Sequence, residues 1–160
     1  MSPRLVPLIS IVIFLLACHR GPKVKLKPLD LNAYGINLTI MVPDSAEIVK
    51  KDYAIMRDIT IQKGDWYYVQ IFESETTSKN PEDVKRDQLE SVKQDKYFKE
   101  MTKEDEHGFI FQKELDNAVV DYDFRYIMII DDQEIIFQTG LIGTFTLEDV
   151  ERMYESVSKN

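Results

Sequence analysis

The chain has little of the chemistry that enzymes commonly concentrate. It contains one cysteine, Cys18, and two histidines, His19 and His107. A single cysteine excludes a disulfide within the chain and a metal site built from several cysteines. A Ser-His-Asp site would have to use His107, which stands in a charged segment, and no G-x-S-x-G sequence is present. The sequence therefore offers no recognisable nucleophile.

Glycine is also scarce, and basic residues are outnumbered by acidic ones. The six glycines are scattered, which excludes a glycine-rich phosphate loop. With 20 basic and 28 acidic residues the formal net charge is -8, so a nucleic-acid partner is not expected. The acidic stretches at residues 104–107 and 131–134 lack the spacing of metal-binding loops and are interpreted as solvated turns. We therefore expect no metal and no cofactor.

Long apolar runs are missing except at the amino terminus. Residues 5–17 form an apolar run of thirteen that follows Arg4. A helix that spans a bilayer needs about 20 apolar residues, so this run is too short to cross a membrane. A positive residue, a short apolar stretch and the small residue Ala17, in that order, are typical of a secretory signal. Residues 1–17 are therefore predicted to be a signal peptide.

The four residues Leu15-Leu16-Ala17-Cys18 resemble the lipobox of bacterial lipoproteins, although Leu16 is not the commonest residue at its position. The resemblance implies cleavage between Ala17 and Cys18. It also implies a diacylglyceryl group on the Cys18 sulfur and an acyl chain, such as palmitate, on the new amino terminus. Two or more chains anchor a protein stably where one does not. The alternative is an ordinary signal peptide, or a membrane anchor, with an incidental cysteine.

The same resemblance implies a place in the bacterial cell envelope. In such lipoproteins an Asp directly after the lipidated cysteine resembles a signal for retention in the inner membrane. This chain has His19 there, which favours the outer membrane, facing the periplasm. Residues 18–33 are rich in Lys, Arg and Pro and show no helical or strand period. We interpret them as the lipidated cysteine followed by a basic tether.

Residues 34–160 are predicted to form a single α+β domain. Apolar alternation predicts strands over residues 36–42, 46–50, 53–61, 66–72, 109–115, 119–130 and 134–141. Asn80-Pro81 and Thr146 are typical first residues of helices, and Val84, Leu89 and Val92 form the packing stripe of the first helix. Since hairpins dominate, we expect a mostly antiparallel sheet flanked by helices, in the order strands, helix, strands, helix.

This element order, with Gly35-Ile36-Asn37-Leu38 leading to Val42-Pro43, resembles the Mog1/PsbP-like family. The resemblance implies an antiparallel sheet sandwiched by helices. It also implies a binding or assembly module rather than a catalyst. No functional motif of the family can be matched position by position, so no site residue is carried over from it.

The most notable polar pattern is the alternation of Asp121, Asp123 and Arg125. Alternate residues of a strand share one face, with about 7 Å between successive members. Two carboxylates so placed could perform acid–base chemistry or grip a cation. The other interpretation is a ladder of ion pairs across neighbouring strands or a solvent-facing strand end. The sequence leaves both interpretations open.

Three functions remain open, and the sequence favours the first because no catalytic group stands out. This is a non-enzymatic, lipid-anchored binding or assembly module, whose partner is an envelope protein or a small ligand. The second is an envelope enzyme that uses Asp121 and Asp123, which requires a concave pocket and a shifted pKa. The third is a small-molecule carrier, which requires an apolar cavity lined by residues such as Tyr122, Phe124 and Tyr126.

Overall fold

The structure, a computed structural model, describes residues 24–159. The signal peptide, the lipobox and Cys18 lie outside the described residues. The strands are β1 (Leu26–Asp30), β2 (Thr39–Pro43), β3 (Glu47–Asp52), β4 (Met56–Lys63), β5 (Tyr67–Glu75), β6 (Phe98–Glu104), β7 (Gly108–Leu115), β8 (Val119–Ile130) and β9 (Gln133–Thr139). The helices are α1 (Pro81–Gln94) and α2 (Leu147–Ser158), and short 3₁₀ turns cover Leu31–Tyr34 and Asp116–Ala118. The predicted α+β class is confirmed.

Strands β3 to β9 form one sheet in the spatial order β3-β4-β5-β9-β8-β7-β6, and every neighbouring pair is antiparallel. The predicted, mostly antiparallel character of the sheet is thus confirmed. Strands β1 and β2 pair separately. Strand β8 lies between β9 and β7, which agrees with its apolar residues on both faces.

Helix α2 covers one face of the sheet. Its apolar side chains are buried in one cluster with side chains of β5 and β8. They are Val150, Met153, Tyr154 and Val157 of α2, Tyr67, Val69 and Ile71 of β5, and Phe124 of β8. The helix begins with a capping box, in which Thr146 and Asp149 each bond the other's backbone N–H. The hydroxyl of Tyr67, deep in this layer, bonds Ser156 of α2 at 3.0 Å. Burial, slightly offset by that bond, raises the pKa of Tyr67 to about 12.

Helix α1 lies on the opposite face. It begins as predicted, because Asn80 accepts a hydrogen bond from the Glu82 backbone and Pro81 occupies the first turn. Its buried Val92 packs with Phe109 and Phe111 of β7. In β7, Phe109 and Phe111 pair with Arg125 and Asp123, so α1 covers the face that carries these polar residues.

The folded part begins earlier than predicted. Residues 26–30, which were assigned to the tether, form β1, and Leu31 is completely buried. The ordered structure therefore reaches back at least to Leu26 instead of starting at residue 34. Lys27 and Pro28 make this strand hard to recognise in the sequence. A two-stranded pair tolerates them because each strand is an edge.

Other boundaries also differ from the predictions: the strand expected over residues 36–42 begins at Thr39, and the one expected over residues 134–141 ends at Thr139. Residues 98–104 form the edge strand β6, where no strand was predicted. The strand expected over residues 53–61 begins only at Met56, because residues 53–55 form the turn between β3 and β4. Among the described residues, no helix is both long enough and apolar enough to cross a bilayer.

Candidate functional site

The predicted face of Asp121, Asp123 and Arg125 exists, and it is buried. Asp121 is 2% and Asp123 7% exposed. Lys113 of β7 places its Nζ 2.8 Å from Asp121 Oδ2 and 3.5 Å from Asp123 Oδ2. Arg125 Nη1 lies 3.0 Å from Asp123 Oδ1. The two carboxylates thus meet Lys113 across adjacent strands and Arg125 on their own strand, which agrees with the ion-pair interpretation of the pattern.

The two carboxylates also bind backbone groups where β9 ends. Asp123 Oδ1 accepts hydrogen bonds from the Thr139 N–H at 3.1 Å and the Thr139 hydroxyl at 2.6 Å. Asp121 Oδ1 accepts from the Phe145 N–H at 2.7 Å. The ladder between β8 and β9 ends at Gln138, and Phe145 lies beyond β9, so β8 offers these N–H groups no backbone partner. A buried N–H without a partner is costly. The carboxylates therefore fix the segment that leads from β9 to α2.

The electrostatics keep Asp123 ionised. Burial alone would raise its pKa, but Arg125, Lys113 and the Thr139 hydrogen bonds outweigh burial and hold the pKa of Asp123 below its ordinary value. For Lys113, burial alone would lower the pKa, but Asp123 and Asp121 raise it overall. Lys113 therefore stays charged beside the ionised Asp123.

A cavity of about 300 Å³ lies beside this network and includes Lys113, Asp121, Asp123 and Arg125 in its walls. The concavity expected for an enzyme is therefore present, and so is a shifted pKa. However, all four carboxylate oxygens already bind a donor. A general acid or base needs a pKa near the working pH and access to the substrate proton. The arrangement is better suited to holding the fold than to proton transfer.

The aromatic rings that the carrier hypothesis places around a cavity are packed against other side chains. Phe124 and Tyr126 form edge-to-face contacts with Tyr154 of α2, with ring centroids 5.8 and 5.6 Å apart. Tyr122 is half-buried, and its hydroxyl donates to Gln112 Oε1 at 3.2 Å. Helix α2 fills the space next to these rings, so an apolar ligand has no room there.

The acidic turn after β6 has a structural use as well. Asp105 Oδ1 accepts hydrogen bonds from the His107 and Gly108 backbone and, at 2.6 Å, from the Tyr154 hydroxyl. Burial would raise the pKa of Asp105, but these bonds and Lys103 lower it overall. Within residues 24–159, no group of three or more His, Cys, Asp or Glu side chains is arranged to hold a metal ion.

The turn at residues 53–55 is a surface feature that the sequence did not indicate. Ile55 is 85% and Tyr53 53% exposed. Beside them lies a cavity of about 620 Å³ with acidic walls that include Asp52 and Glu73. Arg57 also lines this cavity and holds the two carboxylates in place, because it donates to Asp52 Oδ1 at 3.1 Å and also pairs with Glu73. We call residues 53–55 the distal turn.

None of the protein-family models, curated proteins or solved structures compared with the chain matches it. Function therefore has to be argued from the residues themselves.

Proposed function

We propose that this protein is a bacterial lipoprotein, anchored in the cell envelope through lipid on Cys18, whose folded domain is a non-enzymatic binding or assembly module. The lipobox Leu15-Leu16-Ala17-Cys18 supports the anchor. His19 supports an outer-membrane position that faces the periplasm. The saturated carboxylates Asp121 and Asp123 favour binding over catalysis, since their oxygens are occupied by Lys113 and backbone donors.

The observation that carries the binding function is the exposure of Tyr53 and Ile55 on the distal turn. An aliphatic and an aromatic side chain stand largely in solvent beside a cavity with acidic walls. Exposed apolar residues rimmed by polar groups mark protein interaction sites, and buried aromatic anchors carry most of the energy at such sites. A partner that buries Tyr53 and presents basic groups to Asp52 and Glu73 would fit this surface.

Site-specific photocrosslinking in cells tests the binding surface. A photoreactive amino acid is placed at Ile55 of the full chain and, as a control, at Glu90, which is exposed on α1. We expect a discrete crosslinked product of the same mass in repeated preparations from position 55 and none from position 90. Equal products from the two positions, or none from either, would count against a partner at the distal turn.

The anchor has a separate test in the variant Cys18→Ser. Without the thiol, no diacylglyceryl group can be attached, and the lipoprotein pathway leaves the precursor uncut. We expect the variant to accumulate with residues 1–17 still present. A variant that matures normally would show that an ordinary signal peptidase acts here and that Cys18 is incidental.

We also propose that the helix–sheet–helix arrangement is a Mog1/PsbP-like sandwich. The position of α1 and α2 on opposite faces of the antiparallel sheet supports it. A fold of that kind would agree with a binding or assembly role. The function itself is argued from the surface residues, because one fold hosts many functions.

A further inference from the structure

We infer that the end of the domain next to the anchor docks on the lipid surface itself, through Leu141 and Ile142. This inference rests on the proposed lipidation of Cys18 and adds a second contact between the protein and the membrane. The contact is made by the segment between β9 and α2. We call residues 140–144 of this segment the apolar loop.

The apolar loop presents two large side chains to solvent. Leu141 is 77% and Ile142 78% exposed. No charged residue occurs between Glu134 and Glu148, in a chain that is 30% charged. Adjacent aliphatic side chains that are largely exposed are costly in water and favourable at a bilayer interface.

The apolar loop is also held at both ends. The Gly140 N–H donates to Tyr68 O at 2.8 Å, and its Cα lies so close to the Tyr68 ring that no Cβ fits. At the other end, Phe145 is buried, and its backbone N–H donates to Asp121 Oδ1. The loop therefore displays its tip in one position, and insertion would not require it to become ordered first.

The chain from the anchor enters the domain at this same end. Leu26 pairs with Pro43, so the start of β1 lies beside the turn after β2. Lys63, at the end of β4, donates to Ser45 O in that turn at 3.2 Å. Trp66, in the turn between β4 and β5, lines a cavity of about 540 Å³ together with Ile142. The entry point of the tether, the β4–β5 hairpin and the apolar loop thus share one end of the sheet.

The length of chain before the described residues limits how far this end can move from the membrane. Residues 18 to 24 span at most about 20 Å when fully extended. Strand β8, with 12 residues, is itself about 40 Å long. The anchor therefore keeps the apolar loop near the lipid headgroups, while the distal turn lies at the opposite end of the sheet.

Aromatic content and a balance of charge favour a lipid surface as the occupant. The charged residues at this end include the three lysines Lys25, Lys27 and Lys63 and the three acids Asp44, Glu47 and Asp65, and Lys27 pairs with Asp44 at 2.7 Å. This end therefore repels anionic headgroups less than the acidic remainder of the chain does. Trp66 is half-buried beside the loop, and indole rings favour the membrane–water interface.

Trp66 is the only tryptophan of the chain, so its fluorescence reports on this end alone. The full-length protein is purified from membranes with its lipid and reconstituted into phosphatidylcholine–phosphatidylglycerol vesicles. Half of the vesicles carry brominated acyl chains, which quench nearby indole fluorescence. We expect quenching of Trp66 by brominated lipid. The double variant Leu141→Asp/Ile142→Asp should lose it while still sedimenting with the vesicles.

The matched control is the double variant Tyr53→Asp/Ile55→Asp, which places the same two charges on the distal turn and should keep full quenching. Far-UV circular dichroism checks that each variant is folded. Wild-type protein that sediments with vesicles but shows no quenching by brominated lipid would overturn the docking and leave the anchor intact. Wild-type protein that does not sediment would overturn the anchor, and the docking with it.

Discussion

The backbone N–H of Phe145 donates to Asp121 Oδ1 at 2.7 Å, while Lys113 pairs with the other carboxylate oxygen at 2.8 Å. Asp121 thereby joins the segment after β9 to the middle of the sheet. A residue that the sequence offers as a candidate acid is, in the structure, a support for the apolar loop. The polar groups of this face hold the backbone of the segment that leads from β9 to α2.

Asp121→Ala is expected to lower the free energy of unfolding by about 3 kcal/mol, because it leaves Lys113 without its nearest partner and the Phe145 N–H without an acceptor. Urea denaturation measures the loss. Asp121→Asn keeps an acceptor and should cost less. Glu90→Ala, on the exposed side of α1, should change stability by less than about 0.5 kcal/mol. Equal losses for Asp121→Ala and Glu90→Ala would contradict the support role.

Asp123 makes stability depend on pH in a defined direction. Its pKa in the folded protein lies below the ordinary value of 3.8, so the unfolded chain binds the proton more readily. The stabilisation is complete above about pH 4 and is lost as the pH falls through the folded pKa. Asp123→Asn should therefore cost about 2 kcal/mol at pH 7 and clearly less at pH 3. A difference from wild type that grows on acidification would contradict this assignment.

Gly140→Ala tests how tightly the apolar loop is held. An added Cβ would overlap the ring of Tyr68, and such overpacking costs about 1 to 3 kcal/mol. Replacing the ring by a smaller side chain, in Tyr68→Leu, should relieve the overlap. The cost of Gly140→Ala, measured by thermal unfolding, should then be smaller in the Tyr68→Leu background. Strict additivity of the two substitutions would mean that the ring does not confine the loop.

Tyr154→Phe removes one hydroxyl and leaves the aromatic packing in place. That hydroxyl donates to the Asp105 carboxylate at 2.6 Å, and hydrogen bonds to charged groups contribute about 1.5 to 3 kcal/mol. We expect a loss of this size in chemical denaturation. Tyr97→Phe is the control, since its hydroxyl reaches the exposed Asp116 only at 3.3 Å and should contribute little. Similar losses of stability for the two variants would show that the Tyr154–Asp105 hydrogen bond contributes no more than the Tyr97–Asp116 hydrogen bond.

Local signals made much of the fold predictable. Helix α1 begins at Asn80-Pro81 because an N-cap acceptor and a proline in the first turn act within a few residues. Strand β6 was missed for the opposite reason. Its seven residues include four charged ones, and only Phe98 and Met101 pack with α1 and β7. An edge strand with so few side chains facing the core shows hardly any apolar alternation from which a strand could be predicted.

From the sequence, only the shared strand face of the candidate site residues could be predicted. Alternation along β8 places Asp121 and Asp123 together, but their donors belong to Thr139 and Phe145, 16 and 24 residues away. Which N–H groups need an acceptor depends on where β9 stops pairing, and this is a tertiary property. The exposure of Ile55 could not be predicted either, because residues 53–55 contain no Gly, Pro, Asn or Asp to indicate a turn.

The attachment of lipid to Cys18 is tested most directly by the mass of the amino-terminal peptide of the mature protein. The protein is produced as the full chain in a bacterial host and purified from its membranes. Lipid anchoring predicts a peptide that begins at Cys18 and carries a diacylglyceryl group on sulfur and an acyl chain on the amino group. A mature chain that begins at another residue, or at Cys18 with a free thiol, would contradict it.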